Sequence, residues 1–146
     1  MASAKKIALG SDHAGFKTKE LIKSVLDQMN IPYEDLGTHS TQSCDYPDYA
    51  HAVGNAVAKN EGELGILACG SGIGVCIAAN KVKGIRAALV FNEEMAKLSK
   101  QHNNANVLCL GERTTDEKLI PGIVKAWLDT EFEGGRHAKR VDKIEV

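Results

Sequence analysis

Two kinds of hydrophobic pattern alternate along the chain. Short runs such as Leu64–Ala68 are almost wholly apolar, which is typical of parallel strands that are buried on both faces. Longer segments carry apolar residues every three or four positions, and this spacing predicts helices with one buried face. The first helix opens at Phe16 and Lys17 and ends where Asn30 and Pro32 interrupt the pattern. The predicted strands are Lys6–Gly10, Tyr33–Leu36, Leu64–Ala68, Arg86–Phe91 and Asn106–Leu110, and the later predicted helices are about Tyr49–Lys59, Gly72–Asn80, Glu93–Gln101 and Asp116–Thr130.

Five strand–helix units in succession predict an α/β fold. We expect a three-layer sandwich in which a five-stranded, Rossmann-like parallel sheet has helices on both faces. The expected strand order is 2-1-3-4-5, the common order of the flavodoxin-like arrangement. Residues 1–146 have the size of one domain.

The composition changes near the carboxyl end. Glu133-Gly134-Gly135 precedes a basic segment, Arg136–Arg140. Residues 134–146 are too polar to pack on the core of their own chain, so we expect an arm that is either frayed or docked on something else.

Charge and cysteine usage exclude several classes of protein. A formal net charge of −1 argues against a nucleic-acid-binding protein, so an anion site must be local. The sequence lacks a signal-peptide pattern at its start and an apolar run of about 20 residues that could span a membrane. None of the four cysteines form a C-x-x-C pair, which disfavours a zinc site or a thioredoxin motif and favours a reducing, cytoplasmic compartment.

The predicted topology places two loops opposite each other. Open parallel sheets bind ligands beyond the carboxyl ends of the strands, where the strand order reverses. In the expected order this point lies between strands 1 and 3. The loop after strand 1 is Ser11–Gly15, and the loop after strand 3 is Cys69–Gly74.

Cys69 ends a buried strand and is followed at once by a glycine-rich turn. Backbone N–H groups of that turn and the N-terminus of the next helix attract anions and favour a thiolate. A packed core thiol after a tight strand-to-helix connection is the alternative interpretation. The Gly-x-Gly-x-Gly spacing differs from the dinucleotide fingerprint. Val75 stands where a Cys-x5-Arg phosphatase loop needs arginine.

Asp12-His13 and His102-Asn103 are two further polar pairs. Asp12 is either a helix cap or a ligand for a hydroxyl or a proton, and His13 could hold an anion. Asn103 is common at helix ends, but a histidine at the carboxyl edge of the sheet would be well placed for proton transfer near neutral pH. We therefore expect His102 at that edge.

Three arginines are candidates for phosphate recognition. Arg136 and Arg140 are four residues apart, so on a helix they share a face. With Arg113 they supply three guanidinium groups, whose geometry matches phosphate oxygens. Solvated surface charge is the alternative for each.

Taken together, these stretches resemble the ribose-5-phosphate isomerase B family, which also includes allose-6-phosphate and galactose-6-phosphate isomerases. The resemblance covers nearly the whole chain in order. The matching stretches are Gly10–Phe16, Asp45–Pro47, Cys69–Gly74, Ile77–Lys81, Gln101–Asn103 and Glu133–His137.

The resemblance implies an enzyme that interconverts ribose 5-phosphate and ribulose 5-phosphate without a metal or another cofactor. It also implies a homodimer, possibly a tetramer, with active sites at the subunit interface. We expect the carboxyl-terminal arm, residues 134–146, to dock as a helix on the partner subunit and to present Arg136 and Arg140 there. A six-carbon aldose 6-phosphate as substrate is the nearest alternative, and a non-catalytic module that binds a phosphate ligand is a more distant one. One branch of the family uses a glutamate at the position of Val75, so this chain resembles the cysteine branch.

Residue roles follow from the same resemblance. Cys69 is the implied base and His102 the implied group for ring opening. The implied substrate-binding residues are Asp12, His13 and Asn103 for the sugar or its phosphate, Gly70, Ser71, Gly72, Ile73 and Gly74 for the enediolate, Tyr46 beside the pocket, and Arg113, Arg136 and Arg140 for the phosphate.

Overall fold

The computed structural model describes residues 6–60 and 63–146. The segment from 1 to 5, where a signal peptide would begin, lies outside them. Strands are β1 (Ile7–Ser11), β2 (Tyr33–Asp35), β3 (Leu64–Cys69), β4 (Ala87–Leu89) and β5 (Val107–Gly111), and helices are α1 (Phe16–Gln28), α2 (Tyr46–Lys59), α3 (Ile73–Asn80), α4 (Glu93–Gln101), α5 (Ile120–Asp129) and α6 (Arg136–Asp142).

All five strands are parallel and form one sheet with helices on both faces. One hydrophobic cluster joins the sheet to α1, α4 and α5, and a second joins it to α2 and α3. The predicted three-layer α/β class is confirmed. Over the described ranges, no helix has the length and apolar character needed to cross a membrane.

The predicted strand order is wrong at its last two positions. The order is β2-β1-β3-β5-β4, with β5 paired directly to β3. Every residue of β5 is buried, whereas the three residues of β4 are half-buried. The longer, more apolar strand therefore takes the interior position and the short one the edge. As a consequence, Gly111 at the end of β5 lies beside Cys69 at the end of β3.

Helix α2 begins at Tyr46, three residues before the predicted start. Pro47 occupies the first turn, where its missing N–H would have no partner within the helix. This earlier start places Tyr46 next to the carboxyl edge of the sheet.

The carboxyl-terminal arm packs on its own chain, contrary to the expectation from its polarity. His137 and Val141 are both buried, and their spacing of four residues gives α6 a narrow inward face. Arg86 donates to Glu145 at 3.1 Å, which fastens the end of the arm beside β4. Arg136 and Arg140 stay exposed on the other side of α6.

Candidate active site

A cleft of about 660 Å³ opens at the carboxyl edge of the sheet, between β1 and β3. This is the position expected from the reversal of strand order. The predicted site residues that line this cleft are Asp12, His13, Tyr46, Cys69, Gly70, Ser71, Ile73, Gly74 and Arg113.

Cys69 forms the floor of this cleft. Its side chain is 5% exposed, and the Gly72 N–H donates to Sγ over 3.2 Å. The sulfur therefore has a fixed backbone hydrogen-bond donor at the floor of the cleft. Gly72 has φ +78°, and a Cβ at this position would lie 2.6 Å from Leu89 Cδ1. Glycine is therefore needed here to aim the N–H at the thiol.

Tyr46 and Arg113 form two walls over the glycine turn. A Cβ on Gly74 would lie 2.6 Å from the Tyr46 ring, and a Cβ on Gly70 would lie 3.1 Å from the Arg113 guanidinium. The Arg113 N–H also donates to the Gly70 carbonyl at 2.9 Å. The glycines thus let a ring and a cation approach the backbone next to the thiol.

Asp12 and His13 come from the first turn after β1. The Gly15 N–H donates to Asp12 Oδ1 at 3.0 Å, so this buried carboxylate caps a short 3₁₀ turn as well as facing the cleft. The Cys44 N–H donates to His13 Nδ1 at 3.2 Å. An accepting Nδ1 assigns the proton of the neutral imidazole to Nε2. His13 is therefore set up to donate a hydrogen bond to an anion.

Five predicted site residues do not line the cleft: Gly72, His102, Asn103, Arg136 and Arg140. Gly72 nevertheless contacts the cleft residue Cys69 through its N–H. His102 follows α4 and precedes β5, so it lies at the amino edge of the sheet. The expectation of His102 at the carboxyl edge is wrong, because the residue before a parallel strand lies at the opposite edge from the residue after it. From Val107 to Gly111 the four steps of β5 cover about 13 Å, which separates His102 from Cys69 within one chain.

His102 belongs to a second polar cluster. Its ring stacks on that of His137, with centroids 4.3 Å apart and planes 14° from parallel. Glu133 Oε1 lies 3.5 Å from His137 Nε2, and the Glu133 N–H donates to the Gln101 carbonyl at 3.1 Å. The arm and the end of α4 thus hold one another.

This cluster offers three side chains that could ligate a metal ion, with ligand atoms within 4.8 Å of one another. The imidazole rings of His102 and His137 are stacked, so their nitrogen lone pairs run nearly parallel and do not converge on one point. The arrangement as it stands suits ring–ring contact better than chelation.

A second cleft, of about 630 Å³, lies along β4 at the amino edge of the sheet. Asn80 from the end of α3, Asn103, and Ile144 of the arm all line it. The Asn80 side chain accepts from the Ala87 N–H and donates to the Ala87 carbonyl, so it occupies part of the open edge of the sheet.

The chain matches the family model described as "Ribose/Galactose Isomerase" over residues 7–144. The chain belongs to this isomerase family.

Individual members of the isomerase family are similar over almost their entire length. Ribose-5-phosphate isomerase B of Escherichia coli K12 is 48% identical over 140 residues, which are 96% of this chain and 94% of that protein. The structure of the Clostridium thermocellum ribose-5-phosphate isomerase B matches with a TM-score of 0.93 and 50% identity, and covers 95% of this chain and 94% of that one. The Mycoplasma genitalium enzyme, solved with bound ribulose-5-phosphate, matches with a TM-score of 0.92 and 48% identity, and covers 95% and 93%. The family resemblance seen in the sequence is confirmed.

Sequence reasoning missed three residues that support the Cys69 cleft and the His102 cluster: Cys44, Glu112 and His137. Cys44 fixes the His13 ring through its N–H. The Thr18 N–H donates to Glu112 Oε1 at 3.0 Å, which ties the segment before Arg113 to α1. His137 stacks on His102. Only His137 stood in a stretch that the resemblance marked, because the other two act through contacts between distant parts of the chain.

Cys76 on α3 and Cys109 on β5 form a thiol pair between the helix and the sheet. The hydrogen bond from Cys109 lowers the pKa of Cys76, although burial acts in the opposite direction. Burial raises the pKa of the Cys109 thiol well above its usual value. Cys109 therefore stays a neutral core thiol, and neither residue lines the cleft.

Proposed function

We propose that this chain interconverts ribose 5-phosphate and ribulose 5-phosphate through an enediolate, with Cys69 as the base. The observation that carries the proposal is the buried Cys69 thiol at the floor of an open cleft, with the Gly72 N–H directed at its sulfur. The family and the ribulose-5-phosphate named for the M. genitalium relative support the substrate.

The reaction needs a base that returns the proton it removes. Cys69 takes a proton from C2 of the open-chain aldose, and the C2 electrons form the C1–C2 double bond of the enediolate as negative charge develops on O1. The proton returns at C1, while the O2 proton moves to O1, and the ketose results. Backbone N–H groups of the turn after Cys69 stabilise the enediolate oxygens, for which loss of one donor typically costs about 3–4 kcal/mol.

We infer that the complete site needs a second copy of this chain. Cys69 and His102 lie at opposite edges of the sheet in one subunit, so a single chain cannot present both to one sugar. Helix α3 runs between these edges, from the glycine turn to Asn80, which lines the amino-edge cleft together with Asn103.

The exposed face of α3 provides the surface for this contact. Ile73 is 51% and Ile77 58% exposed, and their spacing of four residues makes an apolar stripe. Two α3 helices packed antiparallel about a two-fold axis would bury both stripes. Each helix is about 12 Å long, close to the separation of the two edges. The partner's His102 loop would then reach the Cys69 cleft.

The same two-fold contact gives the exposed arginines a role. Arg136 and Arg140 lie on the outer face of α6, whose inner face is held beside His102. Delivered with the partner's His102, they would complete the phosphate clamp begun by His13 and Arg113. Charge-assisted contacts of guanidinium groups with phosphate are strong and directional.

We place the enzyme in the reducing cytoplasm, which the four free cysteines support. A six-carbon aldose 6-phosphate remains the alternative substrate, and a panel of five- and six-carbon sugar phosphates distinguishes the two.

Solvent deuterium exchange tests the chemistry directly. In deuterium oxide, wild type should place deuterium at C1 of ribulose 5-phosphate and convert ribose 5-phosphate. Cys69→Ala should lose both activities and still bind substrate, whereas Cys76→Ala, a half-buried thiol outside the cleft, is the matched control. Substantial turnover by Cys69→Ala would assign the base to another residue, and wild type without exchange would refute the proposed function.

A further inference from the structure

His102 does not stand alone on the amino edge of the sheet. One face of its imidazole is covered by His137, at 4.3 Å between centroids and nearly parallel. His137 is fixed in turn, because it is buried on the inner face of α6 one helical turn before the buried Val141. We propose that His137, held by Glu133, is a positioning residue that sets the plane of the His102 ring for opening of the furanose. The inference rests on the proposed function.

Glu133 fixes both partners of the stack. Its carboxylate faces His137 Nε2 at 3.5 Å, and its backbone N–H bonds to the carbonyl of Gln101, the residue before His102. Glu133 therefore connects the arm to the end of α4 and also orients the His137 ring. A partner that fixes a histidine ring in this way determines where its nitrogens point.

The groups around the stack lower the pKa of His137. Groups that face His137 are His102 from the end of α4, Glu133 from the preceding segment, and Arg136 and Arg140 on α6 itself. Burial lowers the pKa of His137, and electrostatic interactions with His102 and Arg136 lower it further, against the opposite effect of Glu133. Two stacked imidazolium ions would repel each other. These groups hold the pKa of His137 below its ordinary value, so in the proposed step His137 orients the stack and His102 exchanges the proton.

Ring opening is the step that needs this orientation. The furanose opens when the C1–O4 bond breaks, the O1 hydroxyl loses a proton and the ring oxygen O4 gains one. A single imidazole can serve both atoms only if its ring lies in the plane that contains them. General acid–base catalysis depends on such placement within hydrogen-bond reach. A freely rotating His102 would spend less time in this orientation.

The two directions of the reaction separate ring opening from enolisation. Ribose 5-phosphate is a furanose and must open before Cys69 can act. Ribulose 5-phosphate is an open-chain ketose, so deuterium exchange at its C1 needs the Cys69 step alone. A defect in His102 orientation should therefore slow the first reaction and spare the second.

The test compares His137→Ala with His137→Phe, which keeps an aromatic face and lacks the ring nitrogens. His137→Ala should lower kcat for ribose 5-phosphate by about tenfold or more, with deuterium exchange into ribulose 5-phosphate within about twofold of wild type. His137→Phe should recover most of the loss, and Glu133→Gln should lie between the two. If the alanine variant does not fold, His137→Gln, which also lacks an aromatic face, takes its place.

Three outcomes would overturn the inference. The alanine variant could convert ribose 5-phosphate at the wild-type rate, it could lose both reactions in parallel, or the phenylalanine variant could be as slow as alanine. Failure of the proposed function is distinguishable from all three, because wild type itself would then show neither conversion nor exchange.

Discussion

Lys100 is a buried cation whose effect on stability should depend strongly on pH. Its side chain is 5% exposed, lies 4.6 Å from the Trp127 ring centroid and donates to the Trp127 carbonyl at 3.2 Å. Burial lowers the pKa of Lys100 to about 8, against a smaller opposite effect of Glu131. The ordinary value is 10.5. At about 1.4 kcal/mol per pH unit, the difference corresponds to about 3 kcal/mol.

The sign follows from proton binding. Between pH 8 and pH 10.5 the unfolded chain keeps the Lys100 proton while the folded chain has released it. Stability rises with pH wherever the unfolded state binds more protons. The free energy of unfolding of wild type should therefore rise relative to Lys100→Met by about 3 kcal/mol across this window. Below pH 8 the difference between the two proteins should be constant.

Urea unfolding at fixed protomer concentration, under reducing conditions, from pH 7 to pH 10.5 measures this difference. Lys97→Met is the matched control, because Lys97 lies on the same helix and is exposed. Its difference from wild type should stay flat. A flat profile for Lys100→Met as well, or a fall in the relative stability of wild type, would refute the reasoning.

Two further predictions concern the ion pair beside β1 and the arm. Lys19 is 1% exposed and donates to Asp35 and to the Thr38 carbonyl, each at 2.6 Å. Lys19→Met should therefore lower the free energy of unfolding, measured in urea, by about 3–5 kcal/mol, whereas the exposed control Lys17→Met should change it very little. A loss below about 1 kcal/mol for Lys19→Met would contradict the importance of the pair. Replacing both Arg136 and Arg140 with glutamine should raise KM for ribose 5-phosphate by about tenfold or more. Lys139→Gln, exposed on the same helix, is the control, and an unchanged KM for the double variant would remove the arm from the phosphate clamp.

The fold class was predictable because its signals are local. Apolar runs mark β1, β3, β4 and β5, and amphipathic periodicity marks helices such as α1 and α5. The short strand β2 contains two acidic residues and is marked by the turn residues on either side of it. The order of β4 and β5 was not predictable in this way, because it depends on which strand is more completely buried. The predicted fourth strand, Arg86–Phe91, is at least as long as the predicted fifth strand, Asn106–Leu110. Only Ala87–Leu89 pairs as a strand in the structure, and this shorter strand lies at the edge of the sheet.

The candidate site was predictable where it depends on one edge of the sheet. Cys69, His13 and the glycine turn meet because they follow neighbouring strands. His102 was misplaced because its position before β5 was not taken into account. The stack on His137 could not be inferred from spacing, since it joins residues 35 positions apart on a helix end and on an arm that seemed too polar to pack.

The central claim is that one active site takes Cys69 from one chain and His102 from another. A heterodimer of Cys69→Ala and His102→Asn chains, isolated through two different tags, tests it. Each parent homodimer should be inactive on ribose 5-phosphate. The heterodimer contains one intact site and one doubly altered site, so it should show about half of the wild-type activity. A heterodimer as inactive as its parents, or chains that do not associate, would contradict the claim.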